Sequence, residues 1–247
     1  MRRRNALNST HPSPLTPHSS WCMQPRTESF KIAPMTQDLS HMRVEYTYTG
    51  LHEDDVHADP FTQFGRWFKD AVDAQLDLPN AMVLATADRN GRPSARYVLL
   101  KEFDRDGFVF YTHADSPKGR QLQENPHAAL VFYWHPMHRQ VRIEGTVEML
   151  DAGKADDYFQ SRPRGSQVSA RVAVQSSRLE SREHLHRRAS DVEREFDGAP
   201  VPRPENWHGY RVKPEAIEFW QGQENRLHDR LEYRRRGDSW TITRLAP

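Results

Sequence analysis

Cysteine is almost absent from this chain: Cys22 is the single one among 247 residues. No intramolecular disulfide and no cysteine metal site can form, which fits a reducing compartment. No apolar run approaches the roughly 20 residues that a membrane-spanning helix needs. No charge of one sign dominates either, since 35 Lys and Arg stand against 34 Asp and Glu for a net +1. With no global field to favour nucleic acid, any anion must be held by local clusters. The chain also lacks a Gly-x-Gly-x-x-Gly turn, a Walker lysine loop and a Gly-x-Ser-x-Gly elbow, so Rossmann, P-loop and serine-hydrolase chemistry are not indicated. No His/Asp/Glu set has metal-ligand spacing, and His135-Pro-Met-His138 reads as a polar turn. The expectation is a soluble, cytoplasmic protein with no metal, nucleic-acid or membrane partner.

What is present begins with length. A chain of 247 residues fits one large domain or two small ones and can bury a substantial core. The hydrophobic fraction of 36% and mean hydropathy of −0.90 are polar for a compact fold. Much of that polarity lies in residues 1–41, a Pro-, Ser- and Arg-rich stretch without periodicity that is expected to be disordered. Arg2-Arg3-Arg4 precedes no apolar h-region, so the leader is not a secretory signal. It reads as a disordered leader or as sequence upstream of a start at Met35 or Met42. Residues 42–58, with Arg43 and Tyr46, read as a peripheral arm, and 59–247 as the ordered domain.

Asp59-Pro60 places an N-cap before a proline at the first helical position. Phe61, Phe64, Phe68, Val72 and Leu76 recur at helical spacing, with Trp67 widening the stripe, which predicts an amphipathic core helix. From Ala81 the period becomes that of strands. Strands are expected over 81–87, 93–101, 108–112, 127–134 and 139–150, with turns at Asp88–Gly91 and Asp104–Gly107. Ser116-Pro117 opens a short helix through Glu124, and two more helices are expected near 151–161 and 178–197. Four further strands, 207–212, 218–221, 227–234 and 240–245, complete an antiparallel meander that favours a closed barrel over an open sheet.

Three clusters suit anions. Arg96 and Lys101 bracket one strand, Tyr111-Thr112 ends the next, and Ser116 with Lys118 opens a helix whose N-terminus offers free amides. Tyr158, Arg162, Arg164 and Ser166 gather where Pro163 stops a helix, followed by Gln175-Ser-Ser-Arg178. Arginine forks and hydroxyls suit phosphate, although the two arginines would equally complement the helix C-terminus. Last, Arg226, His228 and Arg230 stand at every second position. In an extended strand they would line one wall, with Leu227 and Asp229 facing away. Such a wall would hold an anion or serve as a solvated, aggregation-resistant edge. Two phosphate clusters would suit two phosphorylated ligands meeting in one site.

Taken in order, Arg96-Tyr-Val-Leu-Leu-Lys101, Phe110-Tyr-Thr112, Tyr158-Phe-Gln-Ser-Arg-Pro-Arg164, Gln175-Ser-Ser-Arg178, Glu218-Phe-Trp-Gln-Gly222, Arg226-Leu-His-Asp-Arg230 and Arg244-Leu-Ala-Pro247 resemble the signatures of the pyridoxine (pyridoxamine) 5′-phosphate oxidase family. The resemblance runs from about Arg43 to Pro247. It implies a mainly β, FMN-binding split barrel, antiparallel and Greek-key-like, with a smaller helical part. It implies a homodimer with FMN at the interface. The implied reaction is oxidation of pyridoxine 5′-phosphate or pyridoxamine 5′-phosphate by O2 to pyridoxal 5′-phosphate, with hydride passing from C4′ to flavin N5. Peroxide is released, with ammonia from the amine, in vitamin B6 salvage or biosynthesis.

The implied FMN contacts are Arg96, Tyr97, Val98, Leu99, Leu100, Lys101, Tyr111, Thr112, Lys118, Gln140, Gln175, Ser176, Trp220 and Arg230. Substrate contacts would be Lys101, Tyr158, Arg162 and Ser166 at the phosphate, and Arg226, Leu227 and His228 at the pyridine, with Arg226 and His228 as the catalytic pair. Arg43 and Tyr46 resemble an arm that closes over substrate. Pro117 departs from the pattern, standing where the family usually has a basic residue beside Lys118, with Arg120 a turn later as the nearest replacement. Another split-barrel flavin or deazaflavin reductase, or a non-catalytic vitamer-binding protein, are the alternatives this pattern leaves.

Overall fold

The computed structural model describes residues 50–172 and 174–247. Residues 1–41, together with Arg43 and Tyr46 of the expected arm, lie outside the described residues. From Gly50 the chain enters the fold at once, with Leu51 buried.

Helix α1, Pro60–Asp73, starts as its sequence predicts. The Asp59 carboxylate accepts from the N–H groups of Phe61 and Thr62, two of the donors that a helix start leaves unpaired. Its buried face is Phe61, Phe64, Trp67 and Ala71. Phe64 is fully buried and meets Phe103, Phe108 and Phe132 edge-on, at centroid distances of 4.9, 5.0 and 5.1 Å. Each such ring contributes roughly 2–3 kcal/mol by burial. The stripe departs from the spacing at Val72, which is 48% exposed, while Leu76 lies past the helix end but still packs against the core.

The sheet begins with β1, Ala81–Ala87, and β2, Pro93–Leu99, a hairpin in which Asp88 Oδ1 accepts from the N–H groups of Asn90 and Arg92. The second strand stops two residues earlier than expected. After Leu100 and Lys101 the chain resumes as β3, Glu102–Asp104, and turns into β4, Gly107–His113. The Leu100 N–H bonds Asn80 O on the β1 side, and the Lys101 N–H bonds Val109 O on the β4 side. Alternate amides of an extended chain point to opposite sides, so this kink hands one strand from one neighbour to the other. The pairing path runs β2, β1, β5 (His127–Trp134), β6 (Arg139–Met149), β7 (Trp207–Gln221), β4, β3. Its two ends, β2 and β3, are successive on the chain, so the ring closes through the kink. This is the mainly antiparallel split barrel expected, with α1 plugging its core.

Strand β7 corrects the expectation of two separate strands over 207–212 and 218–221. It is one strand of 15 residues, bonded to β6 along most of its length. Its first half also pairs with β4 and its second with β8, Asp229–Arg236, which in turn pairs β9, Ser239–Arg244. Pro214 sits inside it, where the β6 register shifts between Glu144 and Gly145. A β-carbon on Gly145 would lie 2.0 Å from Lys213 O, so this bulge needs glycine.

The helical part is α2, Pro117–Glu124, and then α3, Ala152–Ser161, α4, Arg164–Val172, and α5, Arg182–Glu195. Helix α4 was not expected. Pro163 ends α3, but its carbonyl then accepts from Ser166 and Gln167 N–H and so opens a new helix. A second small core joins Phe159, Val168, Val172, Val201 and Trp207. Helix α5 buries no residue, in keeping with its Arg- and Glu-rich surface.

Candidate active site

Strand β4, the helical part and the kink after β2 enclose a cleft of about 660 Å3. Tyr97, Val98, Leu99, Lys101, Tyr111, Thr112, Lys118, Tyr158, Arg162, Ser166, Gln175 and Ser176 all line it. Twelve residues expected at a site from separate motifs thus meet in one place. The cleft has an aromatic floor, in which Tyr111 stacks on Tyr158 at 4.1 Å and on Trp207 at 5.0 Å. The rings lie flat because the next strand carries Gly209. A β-carbon there would stand 2.8 Å from the Tyr111 ring and 2.9 Å from Leu150 Cδ1.

One end of the cleft is built on Lys118. Ser116 caps α2 by accepting from Gly119 N–H, and Pro117 fixes the first turn, which leaves Lys118 buried at the helix start. Its ammonium donates to Gln175 Oε1 at 2.6 Å and Thr112 Oγ1 at 3.2 Å, both neutral. Burial, and then the nearby Arg96 charge, pull its pKa down to about 8. Arg96 stands behind the cleft wall, held by Leu84 O at 3.1 Å, Thr86 Oγ1 at 2.7 Å and Ser94 Oγ. Gln121 Oε1 accepts from both Thr86 and Ser94, so this support is itself braced. Two adjacent cations with neutral partners form a site for an anion. Ser176, beside Gln175, has φ +69°, a strained setting for a non-glycine residue. Arg120 does not replace the basic residue missing at Pro117, since its guanidinium donates to Asp115 O.

The other end is built on Arg162. Its guanidinium lies 4.9 Å above the Trp207 ring and 5.4 Å from Phe159. One of its nitrogens, Nη1, is buried with no hydrogen-bond partner among the described residues. An unpaired buried donor costs about 1–3 kcal/mol, more when charged, so it marks a place where an acceptor belongs. Lys101 Nζ stands 6.0 Å from the centre of the Tyr158 ring at the same end.

Leu100 differs from its neighbours. Its side chain is in the core, its N–H bonds Asn80 O and its carbonyl accepts from Asn80 Nδ2. Residues missed by sequence reasoning include Trp207, which completes the floor, and His113, 6% exposed with its Nδ1 unpartnered among the described residues. The placement of His113 directly after Tyr111-Thr112 was the available signal.

Gln140, Trp220, Arg226, Leu227, His228 and Arg230 form a second group away from this cleft. Gln140 pairs Trp220 across β6 and β7, Trp220 pairs Arg230 across β7 and β8, and the Trp220 and His228 rings are 4.7 Å apart. The wall of three basic side chains on one strand is not formed. Asn225 and Arg226 have φ of +54° and +62° within a short turn, and β8 begins only at Asp229. Arg226 and His228 therefore belong to a turn, and Arg230 to the strand. Arg230 donates to both oxygens of the buried Glu218, at 2.9 and 3.0 Å, and to Ala246 O. Burial, and then the Arg226 charge, lower the His228 pKa.

Among the described residues there is no metal-holding cluster of His, Cys, Asp and Glu, and no helix long and apolar enough to cross a membrane.

The model described as pyridoxamine 5′-phosphate oxidase matches residues 68–195, and that described as pyridoxine 5′-phosphate oxidase C-terminal dimerisation region matches 207–247. A protein of Rubrobacter xylanophilus named pyridoxine/pyridoxamine 5′-phosphate oxidase is 57% identical over 211 residues, 85% of this chain and 97% of its own. One of Gloeothece citriformis with the same name is 52% identical over 214 residues, 86% of this chain and all of its own. Among solved structures, PhzG from Burkholderia lata in complex with tetrahydrophenazine-1-carboxylic acid is 35% identical with a TM-score of 0.75, covering 78% of this chain and 95% of that one. A pyridoxamine 5′-phosphate oxidase-related, FMN binding protein of Nostoc punctiforme shares the fold at 17% identity and a TM-score of 0.61, covering 74% and 96%.

Proposed function

Because the chain belongs to the pyridoxamine 5′-phosphate oxidase family, we propose that it oxidises pyridoxine 5′-phosphate or pyridoxamine 5′-phosphate with O2 to pyridoxal 5′-phosphate, releasing H2O2 and, from the amine, NH3. The observation that carries this reading is the orphaned Arg162 Nη1 at one end of a cleft whose other end holds the buried Lys118. Two anion sites in one cleft suit a phosphorylated cofactor beside a phosphorylated substrate.

Lys118, with Thr112, Gln175, Ser176 and Arg96 around it, would hold the FMN phosphate. When bound, FMN would supply the redox chemistry, as acceptor of a hydride from C4′, and hence of two electrons, that are then passed to O2. Arg162, Lys101, Tyr158 and Ser166 would hold the substrate phosphate. A carboxylate, such as the ligand named for the Burkholderia lata structure, would also meet Arg162. Four donors with two positive charges suit a phosphate dianion better.

Arg226 and His228 would take the pyridine end, with Arg226 orienting the ring and His228 bonding its ring oxygen or C4′ substituent. Trp220, Gln140 and Arg230 would flank the flavin. None of these residues lines the cleft of its own chain. Trp207 lies at the cleft and Trp220 is thirteen residues further along β7, roughly 40 Å of extended chain. A symmetric homodimer would bring the turn of one copy to the cleft of the other. The match of residues 207–247 to a dimerisation region supports this.

The test is direct. The purified protein should be yellow, and in air it should turn pyridoxine 5′-phosphate into aldehyde and peroxide in equal amounts. A flavin-loaded protein that yields neither would refute the oxidase reading.

A further inference from the structure

The turn that carries Arg226 and His228 is held by a carboxylate with no role in the chemistry above. Asp229 Oδ2 accepts from Gln223 Nε2 at 2.9 Å and from Leu51 N–H at 3.0 Å, while Oδ1 accepts from Arg244 Nη1 at 2.7 Å. Arg244 also donates to Leu51 O at 2.8 Å and to both oxygens of Glu53, so the segment around Leu51 is bound on two sides. The fit at Gly50 is close, as a β-carbon there would stand 3.2 Å from Asp229 Oδ2. On the other side of Gln223, its backbone N–H donates to His228 Nδ1 at 3.1 Å. A ring nitrogen that accepts carries no proton, so the neutral imidazole bears its hydrogen on Nε2. Doubly protonated His228 would lose this bond. Within the same turn, Asn225 and Arg226 keep left-handed φ, a region that asparagine tolerates but that arginine holds only where its surroundings impose it.

We propose that Asp229 and Gln223 are positioning residues that hold His228 as the neutral Nε2-protonated tautomer and tie its turn to the chain segment at Leu51. Asp229 fixes the Gln223 side chain, Gln223 fixes its own backbone N–H, and that N–H fixes the ring. This rests on the reading that the Arg226–His228 turn meets the substrate. Lowering of the His228 pKa by burial and by Arg226 runs the same way, since both favour the neutral ring. The alternation of roles along 228–230 then has a cause: His228 faces ligand, Asp229 anchors, and Arg230 is clamped by Glu218.

The experiment uses the FMN-loaded protein with isotope-labelled histidine, read by nitrogen NMR at neutral pH, with His228→Asn to assign the signal. His228 should show one tautomer, protonated at Nε2. Gln223→Ala and Asp229→Ala should each give a mixture of tautomers. Each should also lower kcat/KM for pyridoxine 5′-phosphate by about tenfold or more, with bound FMN per chain unchanged. The double variant should lose little more than the worse single one, because both act through one contact. A single unchanged tautomer in Gln223→Ala overturns the proposal, as do fully additive losses. If Asp229→Ala fails to fold, Gln223→Ala alone decides it. Absence of turnover in the unsubstituted protein would refute the oxidase reading instead, with the tautomer signal still deciding this one.

Discussion

Replacing Arg162 by methionine separates the ligand-binding role of this side chain from a structural one. In the ligand-free protein the change removes two cation–π contacts, at 4.9 Å to Trp207 and 5.4 Å to Phe159. These contribute about 0.5–1 kcal/mol each. The same change removes a buried donor that has no partner, Nη1, whose desolvation costs about 1–3 kcal/mol. The two effects nearly cancel, so stability should change by no more than about 1 kcal/mol, a Tm shift of about 2–4 °C for a domain of this size. Binding should change far more. Charge-assisted bonds from a guanidinium to phosphate contribute about 1.5–3 kcal/mol each. Losing one or two of them, about 1.5–6 kcal/mol, should raise KM for pyridoxine 5′-phosphate by roughly tenfold to 10,000-fold or more where KM follows Kd. Peroxide release is followed against substrate concentration for phosphorylated and unphosphorylated pyridoxine, with Tm measured on the ligand-free protein. Unphosphorylated pyridoxine should be used equally poorly by both proteins. An unchanged KM, or a fall in Tm of ten degrees or more, would show that Arg162 is part of the packing and not a phosphate ligand.

Four further outcomes follow from the same geometry. FMN retention should weaken as pH rises through about 8, because Lys118 is charged below that value and neutral above it. Flavin released on gel filtration across a pH series measures this, and Lys118→Met should abolish the pH step. The sign for stability is opposite: in the ligand-free protein the depressed Lys118 costs on the order of 3 kcal/mol at neutral pH. That cost should diminish as pH rises from about 8 towards the ordinary lysine value, which denaturant midpoints would record. Gly209→Ala should force the Tyr111 ring off the floor of the cleft, costing about 1–3 kcal/mol and reducing flavin content, both visible in a thermal melt of the yellow protein. Glu218→Ala should lower stability by about 2–3 kcal/mol, since it strips Arg230 of its charge partner and leaves Arg142 with Glu144 alone, and the partly exposed positions of both arginines moderate the loss.

Much of the fold was legible because local signals agreed with the tertiary answer. Asp59-Pro60 opened a helix, Asp88–Gly91 made a hairpin, and the phosphate-type motifs converged on one cleft. Where reading failed, a single residue behaved against its habit. Pro214 normally interrupts a strand, yet here it lies at a bulge where Gly145 lets the two backbones approach, and β7 runs straight through. Pro163 stops one helix as expected, but its carbonyl then begins the next. The alternation of Arg226, His228 and Arg230 looked like a strand because nothing in Arg226 announces a left-handed backbone, and the one signal of a turn was Asn225, a residue that tolerates that region. The separation of the site into two groups was not legible, because it depends on how far β7 carries the chain.

That length has a genetic consequence. If each working centre takes its cleft from one chain and its Arg226–His228 turn from another, damage to the two ends falls on different centres. At substrate well below the raised KM, a chain disabled at Arg162 and a chain disabled at Arg226 would each be nearly inert alone. Refolded together, half of the dimers would be mixed, and each mixed dimer would hold one doubly damaged centre and one untouched. About a quarter of full turnover should return from two dead proteins. A centre contained within a single chain would give no such recovery. With centres shared in this way, the longest strand of the barrel would make each subunit a donor to its neighbour, and defects in different parts of the same gene would mask one another.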